Sequence, residues 1–149
     1  MKSNKGFTII EMLLSVTIVA ILANVSIPYF TSAYQSFKAD RMFSEFSTAL
    51  RNARVESIAD NEEVKVIIHS DMDSYYLSFS QKNDQTKQIT LSKEDFELAG
   101  GNVTYKPEGY AVVKSTNDNL YELCHKHSKE QHNYQINPIG KMDIEITEC

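Results

Sequence analysis

What this chain lacks narrows its function before any positive feature is weighed. It has no GxSxG elbow, no Walker loop, no HExxH helix and no CxxC pair. No nucleophile, base and orienting group can be assembled into a set, so enzymatic activity is not expected. No internal repeat and no low-complexity linker interrupt the chain, which excludes repeat and tethered-array architectures. Cysteine is scarce, with Cys124 and Cys149 alone, both far along the chain. Basic residues are also short: 15 Lys and Arg stand against 20 Asp and Glu, a formal charge of −5. That balance argues against broad electrostatic attraction to DNA or to anionic lipid.

What is present is concentrated near the start. A short basic stub ends at Gly6, and a run of apolar residues follows from Phe7 to Phe30, broken by one charge, Glu11. The run is long enough to span a bilayer. A carboxylate at the centre of such a helix costs about 2.5–3.5 kcal/mol and less near its edge, so Glu11 needs a functional reason. A cleaved secretory signal would carry a small-residue site after its apolar core, and no such site ends this run. An ordinary single-pass anchor accounts for the length but not for Glu11 or for Gly6-Phe7.

Gly6, Phe7, Glu11, the apolar run and Pro28 together resemble, in register, the class III signal of type IV prepilins and type II secretion pseudopilins. The resemblance implies cleavage by a prepilin peptidase between Gly6 and Phe7, N-methylation of Phe7, and retention of the helix on the mature chain. Removing the leader, 1–6, takes away Lys2 and Lys5, so 15 basic residues become 13 and the formal charge goes from −5 to −7. Glu11 is then expected to pair with the freed amine of Phe7 on a neighbouring subunit. A buried charge needs a partner, and a wrong axial register would leave both unpaired.

The remaining pattern predicts an α+β, pilin-like chain. A first helix is expected from about 8 to about 60, with a kink at Pro28, where one helical hydrogen bond is missing. Residues 7–30 form the transmembrane or filament-core half and 31–61 the amphipathic half. In the second half Ala39, Met42, Phe43, Phe46, Ala49, Leu50 and Ala53 recur at three- and four-residue steps, a stripe suited to pack on a globular domain. Asp60-Asn61-Glu62-Glu63 is a plausible stop. From 62 to 149 an antiparallel β domain is expected, with strands at 64–68, 75–79, 88–91, 103–105, 110–113, 120–124, 134–136 and 143–147. Gly100-Gly101-Asn102, Pro107-Glu108-Gly109 and Asn117-Asp118-Asn119 punctuate them as turns.

Three later segments narrow the resemblance to the GspH/FimT family of minor pilins and pseudopilins. They are the helix end from Ala49 to Asn61, the turn segment from Val103 to Gly109, and the late closing segment from Ile136 to Ile144. The implied function is that of a structural subunit, with other major and minor pilins as partners, that primes or joins a type IV pilus-like filament. A type II secretion pseudopilus subunit is the alternative. The implied location is the inner membrane, crossed once with the β domain in the periplasm, and then a surface pilus or a periplasmic pseudopilus.

Outside the cytoplasm Cys124 and Cys149 would pair as a disulfide, the other reading being two separate thiols. His125, His127 and His132 beside Cys124 could be read as a metal site. A polar surface loop rich in histidine and lysine is the preferred reading, so no metal and no cofactor are expected. Some FimT-like pilins capture DNA through basic residues in the closing hairpin, which makes DNA a rival partner, through Lys126, Lys129 and Lys141. Asp143, Glu145 and Glu148 work against it, because phosphate binding depends on accumulated positive charge.

Overall fold

The computed structural model describes residues 7–81, 84–114 and 121–149, with the backbone alone for 84–88. The leader with Gly6, and the turn Asn117-Asp118-Asn119, lie outside the described residues. Among those described are one helix and nine strands. They are α1 (Ile9–Ala59), β1 (Val64–Ser70), β2 (Ser74–Gln81), β3 (Asp84–Ser92), β4 (Phe96–Gly100), β5 (Asn102–Tyr105), β6 (Ala111–Lys114), β7 (Tyr121–His125), β8 (Glu130–Ile136) and β9 (Met142–Glu148). The chain divides into two compact units, Met1–Phe37 and Lys38–Cys149.

In the first unit α1 is apolar on every side, and its most apolar window has none of its surface buried. Ile9, Ile10, Leu13, Val19, Val25 and Phe30 are all exposed. Pro28 lies inside the helix, which continues through it.

In the second unit α1 buries one stripe, made of Ala39, Phe43, Phe46, Leu50, Ala53 and Ser57. The spacing of three and four residues puts these side chains one above another on a single face. Met42 and Ala49 pack at its margin, so the predicted stripe is the core face. The helix then stops for a local reason. Asn61 takes a positive φ of 54°, and the Glu62 N–H donates to the Ser57 carbonyl at 3.2 Å. A left-handed residue followed by a six-to-one bond is the Schellman ending, in which Asn is tolerated because its short polar side chain costs little there.

The strands form two antiparallel sheets, a five-stranded one in the order β3-β2-β1-β5-β6 and a four-stranded one in the order β4-β7-β8-β9. Inner-face residues of both join the helix stripe in one hydrophobic cluster that includes Val66, Leu77, Val103, Tyr105, Tyr121, Leu123 and Tyr134. The four-stranded sheet meets the helix through rings. Phe43 lies edge-on to Phe96 with centroids 6.1 Å apart, Phe46 does the same to Tyr121 at 5.5 Å, and Tyr134 is 4.9 Å from Phe46. The Tyr134 hydroxyl donates to the Phe43 carbonyl at 3.2 Å, which satisfies a polar tip inside the core.

The expected α+β architecture is present. β3 starts at Asp84, earlier than expected, and Gly100 and Asn102 of the expected turn belong to β4 and β5. Two further differences bear on the site. β4 was not foreseen, because Phe96-Glu97-Leu98 is too short an alternation to stand out beside Gly100. It forms by pairing with β7, Leu98 opposite Leu123. The segment read as a polar surface loop is the second difference. Glu130 to Asn133 belong to β8, paired on both sides, and only the turn between β7 and β8 is a loop. Ladder hydrogen bonds with β7 and β9, available only in the folded sheet, outweigh the polar character of Glu-Gln-His-Asn.

Candidate functional site

In the first unit the start of α1 is built by two residues. The Thr8 N–H donates to Glu11 Oε2 at 2.9 Å and its hydroxyl to the same oxygen at 3.0 Å, while the Glu11 N–H donates back to Thr8 Oγ1 at 3.3 Å. This is a reciprocal capping box, which satisfies two otherwise orphaned helix donors. Its signal, Thr-x-x-Glu, was legible in the sequence and was overlooked. Within the described residues the Glu11 carboxylate thus has Thr8 alone as partner, and no cation neutralises it. Phe7, just before the cap, is 88% exposed.

In the second unit the three segments that resembled the GspH/FimT pattern meet in space around Arg54. Its Nε donates to the Gly109 carbonyl at 3.0 Å and an Nη to the Ile139 carbonyl at 2.9 Å. One side chain near the helix end therefore ties down both turns. Gly140 packs against this knot with a positive φ of 77°, and a Cβ there would stand 2.3 Å from the Gly109 oxygen and 2.7 Å from Arg54 Nε. Ser57 adds a donor to the Lys106 carbonyl at 3.3 Å. The flat, five-donor guanidinium suits this bridging role, which a lysine ammonium would not span. Beside the knot lies a groove of about 300 Å³ lined by Leu50, Arg51, Tyr105, Lys141 and Met142.

Cys124 and Cys149 are joined in a disulfide with their Cα atoms 6.1 Å apart. The bond fastens the chain end to β7, and the Cys149 N–H also donates to the Lys129 carbonyl at 3.0 Å.

The three histidines are not alike. His125 is fully buried, against the expectation of a surface position. The Ser128 N–H donates to its Nδ1 at 3.2 Å, and the Ser128 hydroxyl lies 2.8 Å from the same atom. With Nδ1 accepting, the ring proton sits on Nε2, which is buried without a hydrogen-bond partner. Burial, then the neighbouring His127, push the His125 pKa below its ordinary value. His127 is half exposed, 3.5 Å from Asp95. His132 lies flat on Phe43 with centroids 3.8 Å apart and contacts Glu130 at 2.9 Å. Among the described residues no group of three or more His, Cys, Asp or Glu side chains could hold a metal. Asp95 itself contacts Lys38 at 2.5 Å, and this hydrogen bond holds its carboxyl below the usual range.

The lysines proposed as a DNA patch are separated. Lys126 and Lys129 sit in the turn before β8 and Lys141 in the turn after it. At about 3.4 Å per strand residue, the seven residues of β8 put the two turns roughly 20 Å apart. Lys126 Nζ donates to the Lys93 carbonyl at 2.7 Å and Lys141 pairs with Asp143 at 2.9 Å.

Comparison with known proteins bears on the first unit most directly. The family described as the prokaryotic N-terminal methylation motif matches residues 1–23. Two proteins named "Fimbrial protein", both from Pseudomonas aeruginosa, are each 38% identical over 64 residues, which is 43% of this chain. The chain spans 41% of the length of each of these relatives. No solved structure matches. The motif and the fimbrial relatives support a type IV pilin-like family for a chain whose described part is one long apolar-to-amphipathic helix followed by antiparallel sheets.

Proposed function

We propose that this type IV pilin-like chain is a minor, non-enzymatic subunit that enters a type IV pilus-like filament through its N-terminal helix. After cleavage between Gly6 and Phe7, Glu11 pairs with the Phe7 amine of a neighbour, and residues 9–30 pack against the same residues of adjacent subunits. The observation that carries this reading is the environment of Glu11. It sits at the head of a helix whose most apolar stretch is unburied among the described residues, and its capping contacts come from the uncharged N–H and hydroxyl of Thr8. A carboxylate brought into an apolar bundle without a cation costs several kcal/mol, so the bundle would form in the register that supplies one. Thr8 holds the side chain until then.

The test is Glu11→Ala in cells that make pili. Cleavage of the leader, followed by electrophoretic mobility, is expected to continue, while incorporation into sheared filaments falls severely. Undiminished incorporation would overturn the pairing. Gly6→Asp is expected to block cleavage, and a normally matured product would overturn the leader assignment. The separated lysines and the acidic Asp143, Glu145 and Glu148 argue against a DNA-capturing role, because phosphate binding depends on accumulated positive charge. A pilus count in cells lacking the gene, with retraction disabled, tests the filament role: few pili support the proposal, and a normal count points to a secretion pseudopilus or a dispensable adaptor such as a DNA-capturing subunit.

A further inference from the structure

We infer that the free edge of β9 is a docking site for an extended segment of a different subunit, one that alternates Lys or Arg with aliphatic residues. β9 pairs with β8 on one side only and ends the four-stranded sheet. The direction of its free backbone groups follows from the ladder. The Asn137 N–H donates to the Lys141 carbonyl and the Cys149 N–H to the Lys129 carbonyl. Both are hydrogen-bonded pairs of the same register that sets Asn133 opposite Glu145. Such pairs recur every second residue, so Asp143, Glu145 and Thr147 bond to β8 and Met142, Ile144 and Ile146 turn their N–H and C=O outward. An unpaired row of this kind is a template for another strand.

The side chains specify the occupant. Ile144 and Ile146 are 38% and 62% exposed on one face. On the other face Asp143, already paired with Lys141 at 2.9 Å, alternates with the exposed Glu145, which has no ion-pair or hydrogen-bond partner for its side chain among the described residues. A second copy of β9 fits poorly in an antiparallel pairing. Centred on Ile144 it sets Asp143 opposite Glu145; centred on Glu145 it sets that carboxylate against its own copy. Centred on Ile146 it sets Ile144 opposite Glu148. Like charges directly opposite are destabilising and opposite charges stabilising, so the complement of β9 is a basic–aliphatic alternation. The Cys124–Cys149 bond and the Cys149 N–H fasten the far end of the edge, which lowers the ordering cost of docking.

Only the description of the partner as a neighbouring subunit rests on the assembly reading above. The edge can be tested without a filament, so the two can fail separately. The experiment is residue-resolved amide hydrogen exchange on the full chain in neutral detergent, titrated with a capped seven-residue peptide alternating Lys and Val. Saturable slowing of the Ile144 and Ile146 amides by about ten-fold or more is expected, as for amides drawn into a ladder. A peptide alternating Glu and Val should leave them unchanged, and Glu145→Lys should weaken the Lys–Val peptide about five-fold. Glu145→Gln, which keeps the size, should weaken it less. No slowing at millimolar peptide, or equal slowing by the Glu–Val peptide, would overturn the proposal. Slowing that grows with protein concentration in the absence of peptide would identify the occupant as a second copy and overturn it equally.

Discussion

Arg54 shows how a single residue can join segments that share no local pattern. Its two carbonyl partners, on Gly109 and Ile139, stand 55 and 85 residues away in sequence. Removing a donor leaves those acceptors to water or to nothing, which costs about 1–3 kcal/mol when the site is shielded. Arg54→Ala is expected to fall in that range, and Arg54→Lys to recover only part of it, by denaturant unfolding of the full chain in detergent. Gly140→Ala combines a left-handed backbone with a Cβ driven into the Gly109 oxygen, so about 1–3 kcal/mol of loss is expected there too. His125 acts through its proton. Its folded pKa is depressed below the ordinary 6.5 by burial, so the folded state favours the neutral ring. The stability this gives is complete above the unfolded value and is lost as pH falls through it toward the folded value. Unfolding free energy should therefore decline from pH 7 to pH 5, and His125→Phe should flatten that slope. An unchanged slope would assign the decline to other groups.

At the scale of elements, α1 and the four-stranded sheet divide the work. The stripe of α1 fixes which face is buried, and Phe43 and Phe46 set where the sheet lies by their ring contacts. Phe46→Ala, at a fully buried position, is expected to cost about 3–5 kcal/mol, read from the midpoint of chemical denaturation. The disulfide acts on the other side of the same sheet. Closing a 25-residue separation contributes about 3–4 kcal/mol in the chain-entropy model. Reduction, or Cys149→Ser, should lower stability by that order and raise exchange at β9 before it does so at β7. Uniform loosening of the sheet would mean that the bond acts on the unfolded chain alone. The helix ending, with Asn61 left-handed, shows why the predicted stop near 60 was legible: the stop is written in local residues.

For the whole molecule, the contrast between the two units matters most. The second has its own core, while the first exposes apolar residues on every side. Exposed apolar surface of that extent requires a cover, from lipid or from other chains. The full chain is thus expected to sediment with membranes and to stay in solution only with detergent. Recovery of the intact chain in a detergent-free soluble fraction would contradict this.

Period and composition were enough to read the apolar run, its lone Glu11, the stripe from Ala39 to Ala53 and most strands, because each rests on contacts between residues close in sequence or on a face defined by 3.6- or 2-residue spacing. The local cap Thr8–Glu11 was equally readable. The short strand β4, the burial of His125, the separation of the lysines at the two ends of β8 and the convergence of three motifs on Arg54 were not. Each depends on which distant segments become neighbours, and a ladder or a bridging guanidinium has no periodic trace in the chain that forms it. The outward turn of Ile144 and Ile146 is the same kind of fact. Alternation shows that β9 has two faces, but only its place at the end of the sheet leaves one row of backbone groups without a partner.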